Sequence, residues 1–391
     1  MKLLSAIVAA SAALVCSTAP AVAGAAPVPP ARRIISNVAP RRDTRGDIVN
    51  AHDGQIIREA GTWYWFAAGY LACKEYPGLG GCAGCAGKPI GPACGCGFEP
   101  QTAVNLYTSD DLVTWTPHGD VLEMASRPHN TSLFSPRVLY NDATETWVMW
   151  YNFVPKYSYA VATSKSPFGP FKTVSTTAGA SFKWGQHGAC ASFGRGRPNT
   201  CLGDFSLFKD DDGAGYMLYS HDPGPTAAAG VSGKLSVARL TPDFTASAWD
   251  KQTGAGEEAL ELTGWEAPAM FKFGGWYYAL TSAACCYCGG GGTVFVHRAR
   301  SPLGPYETQA APISFGNGTS TRTQGQQTTV TTLPSGALVW QGDRWQTAPD
   351  RLKAHDFQFW TCLSISDDGW IAPMAWVDEF DLEDCHQIDG R

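Results

Sequence analysis

The chain has 391 residues and a net charge of −6, with 12% aromatic and only 16% charged residues. This composition excludes a disordered chain, which would be poor in aromatic residues and rich in charge. It also gives little support to nucleic acid or a membrane surface as a partner, because both select clusters of Lys and Arg. The 43 Gly and 26 Pro residues are spread along the whole chain, which favours many short strands over long helices.

The first 23 residues have the features of a signal peptide. Lys2 precedes an apolar run over residues 3–15, and the small residues at 21–23 offer a cleavage site. This run is shorter than the roughly 20 residues that a membrane-spanning helix needs. We therefore expect a secreted, extracellular protein. Residues 24–42 are rich in Ala, Pro and Arg, and we expect a flexible leader there, followed by a single domain over residues 43–391.

The cysteines predict disulfide bonds. The chain has 13 of them, and removal of Cys16 with the signal peptide leaves an even number, as is typical of a secreted chain with disulfides. The pairing does not follow from the sequence. Zinc is the alternative, because a C-x-x-C at 82–85 and a C-x-C at 94–96 resemble thiolate ligand spacing. Most of the cysteines lie in two Gly-rich segments, 73–96 and 285–288, so we expect disulfide-rich loops that shape a binding mouth.

Beyond the leader, short alternating or aromatic runs recur, each of strand length and bounded by Gly, Pro, Asp or Asn. Polar or Gly-containing turns join several of them into predicted hairpins. The runs occupy residues 62–70, 103–109, 146–153, 159–164, 215–220, 235–240, 276–282, 293–299, 337–342 and 357–365. The sequence contains no amphipathic helical stretch of ordinary length. This pattern predicts an all-β sandwich, barrel or propeller.

An internal repeat favours the propeller. The segments SKSPFGPF at 164–171 and RSPLGPY at 300–306 share a Ser-Pro-x-Gly-Pro-aromatic core, and each follows a predicted strand. Radial blades produce such repeats because each blade is a copy of one supersecondary unit. The alternative is a pair of unrelated Pro-Gly turns.

Three acidic residues lie at the edges of predicted strands, among apolar or small neighbours. They are Asp53 in AHDGQII, Asp204 in LGDFSLF and Glu266 in GWEAPAMF. Burial of a carboxylate in such surroundings is costly, so these positions indicate a function. For Asp53, which precedes a glycine, a simple turn residue is the alternative.

At these residues the sequence resembles glycoside hydrolase family 43, whose members are secreted five-bladed β-propeller enzymes that hydrolyse plant-type polysaccharides with inversion. The resemblance spans about residues 43–381 and includes Asp-x-x-x-Phe-x-Asp-Asp-Asp-Gly from Asp204 and Glu-x-Pro-x-x-Phe-Lys from Glu266. It implies that Glu266 is the general acid, Asp53 the general base and Asp204 the residue that raises the pKa of the acid. The implied substrate contains galactose, arabinose or xylose. No cofactor is required, and a structural calcium is not predicted.

Within the family, RDTRGDIVNAHDGQII and VWQGDRWQTAPD resemble the exo-β-1,3-galactanase branch, whose members lack the base Asp and are thought to use a Gln. Gln326 matches that Gln. The chain departs from the branch at Asp53, where the branch has Gly, and at Phe134, where the branch has Glu. Either Asp53 or Gln326 is therefore the group that activates water. The loss of the Glu also motivates an alternative function, a catalytically silent carbohydrate-binding propeller.

Further site residues are predicted by residue type. Trp150 and Trp345 are expected to stack on sugar rings, with Gln326 and Asn152 as polar substrate ligands. His52 and His355 are candidates for lining the central channel, but a lone His is more often structural, so we assign no metal ion. The expected partner is a polysaccharide or oligosaccharide, and the expected oligomeric state is a monomer.

Overall fold

The structure is a computed structural model that describes residues 32–72, 102–154, 158–186, 202–221, 234–260, 266–283, 291–314 and 323–386. The predicted signal peptide, both cysteine-rich segments and most of the predicted leader lie outside these residues. The disulfide or zinc chemistry of those two segments therefore stays a prediction.

The described residues form five antiparallel sheets arranged as the blades of a propeller. Blade 1 contains β2 (His52–Glu59), β3 (Thr62–Gly69), β4 (Ala103–Ser109) and β5 (Thr116–Asp120). Blade 2 contains β6 (Ser132–Asn141), β7 (Thr146–Val154), β8 (Ser158–Ser164) and β9 (Lys172–Ser175). Blade 3 contains β10 (Leu202–Lys209), β11 (Gly215–His221), β12 (Lys234–Arg239) and β13 (Glu257–Leu260). Blade 4 contains β14 (Glu266–Phe273), β15 (Trp276–Ala283), β16 (Thr293–Ala299) and β17 (Glu307–Thr308). Blade 5 contains β18 (Gln326–Thr332), β19 (Leu338–Arg344) and β20 (Phe357–Leu363).

Helices are short in the described part of the chain. They are five 3-10 segments at Met124–Ser126, Ala178–Ser181, Lys183–Gln186, Lys353–His355 and Leu382–Asp384. None of the helices among these residues has the length and apolar character needed to cross a membrane. The predicted all-β five-bladed propeller is thus confirmed, and the repeated Ser-Pro-x-Gly-Pro turns join the third strand to the fourth in blades 2 and 4.

Hydrophobic cores between neighbouring blades hold the propeller together. Trp63 and Trp65 of blade 1 pack with Trp360 of blade 5, and Trp65 lies 5.5 Å from Trp360 between ring centroids. Blades 2 and 3 share a similar core in which Trp150 and Phe205 are completely buried. Because both faces of a blade are covered by its neighbours, its central strands read as nearly continuous apolar runs and not as alternating ones.

The ring closes between blades 5 and 1, where both ends of the described chain meet. Strand β1 (Ile34–Ser36) pairs with β21 (Glu379–Asp381). The Asn37 side chain donates a hydrogen bond to the Trp360 carbonyl oxygen at 2.8 Å and accepts one from the Trp360 amide at 2.8 Å. The prediction that the leader extends to residue 42 is therefore wrong for its last part. Residues 33–42 belong to the propeller because Ile35 is buried in the closing core.

A disulfide bond reinforces the same closure. Cys362 in β20 is bonded to Cys385 near the end of the described chain. These two are the cysteines that the described residues contain, and the prediction that they are oxidised is confirmed. The bond ties the C-terminal segment to the last blade.

Candidate active site

The first strand of each blade contacts the first strands of its neighbours, so these strands surround the propeller axis. Near its start, each of them loses regular pairing with the second strand of its blade. In blades 1 to 4, two bulged residues face one residue of the second strand. Such β-bulges turn side chains away from the regular alternation of a strand. One local irregularity, repeated in every blade, therefore directs side chains towards the axis.

The three predicted catalytic carboxyl groups lie at three different positions in or directly before this bulge. Glu266 lies just before the bulge of blade 4, Asp53 is the first bulged residue of blade 1, and Asp204 is the second bulged residue of blade 3. Two of the groups are influenced by the charges of the others: Asp204 acts on Asp53, and both act on Glu266. The structure brings the three carboxyl groups together, and Asp53 lies within a strand and not in a turn.

Asp53 is held by hydrogen bonds from blade 2. Its Oδ2 accepts one from the Ser135 amide at 2.9 Å and one from Ser135 Oγ at 2.6 Å. Its own amide donates to Asp343 Oδ2 at 2.5 Å. The backbone of Asp53 has a φ of +48°, a region that costs free energy in residues other than Gly and recurs at functional sites. These contacts fix both the backbone and one carboxylate oxygen.

Arg137 lies at the axis and connects several blades. Its guanidinium group donates hydrogen bonds to the carbonyl oxygens of Asp53, Gly54, Phe205 and Thr328. Its Nη2 also lies 3.7 Å from Asp53 Oδ1. Because backbone carbonyl oxygens hold its guanidinium group in place, Arg137 acts on Asp53 as a fixed positive charge.

The pKa of Asp53 is raised by burial, and the charges of Asp204 and Asp343 add to this effect. Arg137 and the Ser135 hydroxyl oppose the rise, because they stabilise the ionised form. The surroundings of Asp53 therefore include specific partners for the carboxylate.

Asp204 is tied to the residue that follows Glu266. Its Oδ2 accepts a hydrogen bond from the Ala267 amide at 3.0 Å. Behind it, the Gly203 carbonyl oxygen accepts hydrogen bonds from Tyr159 Oη at 2.8 Å and from Asn152 Nδ2 at 3.2 Å. Burial raises the pKa of Asp204, while the Ala267 amide and the charge of Arg137 lower it.

Glu266 has a different environment. Its Oε1 is buried and accepts no hydrogen bond from any described residue. Burial raises its pKa well above the usual range, and the negative charges of Asp204 and Asp53 raise it further. Because burial and both neighbouring negative charges favour the neutral form, this carboxyl group can keep its proton near neutral pH.

Gln326 is oriented by Trp345, whose indole Nε1 donates a hydrogen bond to Gln326 Oε1 at 2.7 Å. An indole nitrogen can only donate, so this contact identifies Oε1 as the amide oxygen. In an imidic acid tautomer the same oxygen would carry a proton and would be a weaker acceptor for the indole N–H. The contact therefore favours the ordinary amide form of Gln326, which is a poor base.

Three of the predicted substrate ligands are buried. Trp150 is completely buried between blades 2 and 3, with its Nε1 donating to the Phe244 carbonyl oxygen at 2.8 Å, so its prediction as a stacking residue is wrong. Asn152 is also completely buried and supports the peptide before Asp204. Trp345 is only 2% exposed, and Lys353 Nζ lies 4.1 Å from the centre of its ring. Trp345 thus supports Gln326 and offers no open ring face.

The two histidines considered for the channel lie in different surroundings. His52 is completely buried, with Nδ1 3.6 Å from Asp343 Oδ1. His355 pairs with Asp350 at 2.7 Å on the surface. Over the described ranges, no group of three or more His, Cys, Asp or Glu residues could hold a metal ion.

Sequence reasoning missed four residues that support the site, namely Ser135, Arg137, Gln327 and Asp343. Gln327 donates to the Ala267 carbonyl oxygen at 2.7 Å and accepts from Trp340 Nε1 at 2.8 Å. A signal was available for the first two. The segment FSPRV occupies the start of an inner strand, as HDGQI and EAPAM do. When FSPRV and HDGQI are aligned, Ser135 occupies the position equivalent to Asp53.

The fold is a five-bladed propeller, and three interacting carboxyl groups lie at the starts of its inner strands. The family model of the glycosyl hydrolases of family 43 matches residues 93–342, which is more than half of the chain. The chain belongs to glycosyl hydrolase family 43 and is a glycosidase. Its sequence resemblance to the family is confirmed. No curated protein matches the chain.

Solved structures of the same family share the fold. A family 43 β-1,3-galactosidase has a TM-score of 0.65 at 23% identity, and the alignment covers 90% of this chain and 64% of that one. The exo-β-1,3-galactanase from Clostridium thermocellum has a TM-score of 0.64 at 22% identity, with coverage of 89% and 66%. The exo-β-1,3-galactanase from Phanerochaete chrysosporium has a TM-score of 0.63 at 21% identity, with coverage of 89% and 68%. The chain thus spans about two thirds of the length of these proteins.

Proposed function

We propose that the protein is an inverting glycosidase that removes sugars from a galactose-, arabinose- or xylose-containing plant polysaccharide. Glu266 is the general acid, Asp53 the general base, and Asp204 raises the pKa of the acid. The observation that carries this proposal is the difference in surroundings between the carboxyl groups of Asp53 and Glu266. Asp53 is hydrogen-bonded by Ser135 and faces Arg137, whereas the influences on Glu266 all favour its protonated form.

In the proposed reaction, water attacks the anomeric carbon while its proton passes to Asp53. The glycosidic carbon–oxygen bond breaks, and Glu266 transfers its proton to the leaving oxygen. Inversion needs one protonated carboxyl group and one carboxylate, separated by roughly 6.5–9.5 Å so that water fits between substrate and base. Asp204 acts by like-charge repulsion, which keeps the proton on Glu266 until the leaving oxygen takes it.

Gln326 is proposed as a substrate ligand and not as the base. Its Oε1 is engaged by Trp345, which leaves its NH₂ group to donate to a sugar hydroxyl. Burial raises the pKa of Asp53 to about 7, and a carboxylate of that pKa accepts a proton far more readily than an amide. Asp53 is therefore the better candidate for activating water.

β-1,3-Linked galactan is the first substrate to test, because the structural relatives named above act on β-1,3-galactosyl linkages according to their descriptions. The proposal also includes secretion, on the basis of the signal peptide at residues 1–23. It treats the protein as a monomer with no required cofactor.

The test is incubation with aryl glycosides and with arabinogalactan oligosaccharides, while the anomer of the first product is followed by NMR. We expect hydrolysis with inversion, and we expect Asp53→Asn, Asp204→Asn and Glu266→Gln each to reduce hydrolysis of the oligosaccharides. Formation of the retained anomer would contradict the mechanism. Binding of the oligosaccharides without hydrolysis of any substrate would instead favour the carbohydrate-binding alternative.

A further inference from the structure

Ser135 of blade 2 supports Asp53 of blade 1. It is the first bulged residue of blade 2, the position that Asp53 occupies in blade 1. Its φ of +51° is close to the +48° of Asp53. The side chain is completely buried. A positive φ costs free energy in a serine. A contact that compensates for this cost is therefore expected at Ser135.

The compensating contact consists of two hydrogen bonds from Ser135 to one oxygen of the Asp53 carboxylate. The amide and the hydroxyl of Ser135 both donate to Asp53 Oδ2, at 2.9 Å and 2.6 Å. The other oxygen, Oδ1, has the guanidinium of Arg137 at 3.7 Å, beyond hydrogen-bonding distance. Ser135 therefore distinguishes the two oxygens of the carboxylate: it saturates Oδ2 and leaves Oδ1 as the oxygen with remaining acceptor capacity.

We infer that Ser135 is a positioning residue that orients Asp53 so that Oδ1 takes the proton from the attacking water. This inference rests on the proposed function, in which Asp53 is the base. Ser135 does not touch the reacting atoms and acts through Asp53. Its amide fixes the plane of the carboxylate together with its hydroxyl, because two donors to one oxygen remove the rotation that would exchange Oδ1 and Oδ2.

The hydroxyl also affects when Asp53 is ionised. A hydrogen bond to the ionised form lowers a pKa, and the other charged groups around Asp53 are Arg137, Asp204, Asp343 and Glu266. Removal of the hydroxyl leaves these groups in place. The acid limb of the kcat/KM profile, which reports the base in the free enzyme, should then move to higher pH by about one unit, as expected for a hydrogen bond to a charged group.

The experiment compares Ser135→Ala and Ser135→Gly with the parent protein on an aryl glycoside. Both variants keep the backbone donor, and glycine suits the positive φ, so the second variant protects the test against a folding defect. We expect both acid limbs to move upward together, with a larger loss in kcat than change in KM. Ser236→Ala is the matched control. Ser236 lies on the third strand of blade 3, is equally buried and forms a hydrogen bond with His221 at 3.0 Å. The acid limb of the kcat/KM profile of this variant should therefore not move.

Asp53→Asn is measured in parallel to separate two kinds of failure. If Asp53→Asn keeps its activity, the base assignment in the proposed function is wrong, and the role of Ser135 falls with it. If Asp53→Asn is inactive while both Ser135 variants keep the parent acid limb, the inference about Ser135 alone is overturned.

A second measurement does not need turnover. The effect of Ser135→Gly on Tm is determined in the parent and in the Asp53→Asn protein, at pH 5 and at pH 8. We expect the two effects to differ more at pH 8, because the hydroxyl stabilises the ionised carboxylate that the Asn variant lacks. Equal effects in both backgrounds at pH 8 would overturn the inference.

Discussion

Blades 1 and 4 each present a carboxyl group at the start of the inner strand, Asp53 within the bulge and Glu266 just before it, but surround it with different chemistry. In blade 1, Asp53 meets two donors from Ser135 and the charge of Arg137. In blade 4, Glu266 Oε1 meets no donor among the described residues, and its carboxyl group senses the negative charges of Asp204 and Asp53. The propeller repeats its backbone from blade to blade, so the difference between acid and base comes from the side chains that neighbouring blades direct to the axis.

The largest effect on activity is expected from removal of the general acid, Glu266. Glu266→Ala should lower hydrolysis of natural linkages by about 10²–10⁴-fold, because their leaving oxygen must be protonated. Aryl glycosides with good leaving groups should be hydrolysed nearly as fast as by the parent protein. The measurement is kcat on both kinds of substrate.

A matched control for this variant is Glu257→Gln. Glu257 is a buried carboxyl group that accepts hydrogen bonds from Tyr219 at 2.6 Å and from the Lys183 amide at 3.0 Å, outside the proposed site. Its loss should lower stability but leave the dependence on the leaving group unchanged. An equal loss on both kinds of substrate in Glu266→Ala would argue against Glu266 as the acid.

Removal of the negative charge of Asp204 should lower the pKa of Glu266 in blade 4 and so reduce the difference between the acid and the base. Asp204→Asn removes a charge that raises the pKa of Glu266. The acid then loses its proton at lower pH, so the basic limb of the kcat/KM profile should move downward by about one unit. Activity above neutral pH should fall by roughly tenfold. A basic limb that stays in place would show that Asp204 does not tune the acid.

The same contrast predicts an effect on stability. The folded-state pKa of Glu266 lies above its unfolded value, so its contribution to stability is fully present below the unfolded pKa and is lost as pH rises through the folded pKa. Glu266→Gln imitates the neutral form at every pH. The variant should match the parent in free energy of unfolding near pH 4 and should be the more stable of the two at pH 8. Denaturant unfolding at both pH values checks this, and parallel pH dependences would contradict it.

The smallest effects are expected at the amide of blade 5. Gln326→Ala should raise KM and lower kcat/KM by no more than about tenfold, as for the loss of one hydrogen bond to substrate. Trp345→Phe removes the donor to Gln326 Oε1 and should have a smaller effect of the same kind. Steady-state kinetics on the galactan oligosaccharides measures both. A loss in kcat as large as that of Glu266→Ala would place Gln326 among the catalytic groups.

The sequence predicted the blades because hairpins with short polar turns are local features. It also predicted the three carboxyl groups, since Asp53, Asp204 and Glu266 precede apolar runs and match the family motifs. It did not predict that Trp150 is buried, because every central strand of a blade is rich in aromatic residues and only the packing of blades 2 and 3 decides which are covered. The pairing of Ile34–Ser36 with the C-terminal strand was missed for a similar reason, as its partner lies more than 340 residues away.

The residues that support the carboxyl groups were harder to find than the groups themselves. Ser135 and Arg137 belong to blade 2, yet they act on Asp53 of blade 1. Asp343 reaches the same residue from blade 5. Contacts between blades depend on the radial arrangement of the blades, which no single segment of sequence encodes. The reactive groups can therefore be predicted from local motifs, but the residues that orient them cannot.

The opposite roles of blades 1 and 4 are tested most directly by azide rescue of Asp53→Ala. Without the base, turnover should fall by about 10²-fold or more. Azide needs no base, so it should attack the anomeric carbon in place of water while Glu266 still protonates the leaving oxygen, and the product should be a glycosyl azide of inverted configuration. The result that would contradict the account is near-full hydrolysis by Asp53→Ala without azide, together with an inactive Gln326→Ala.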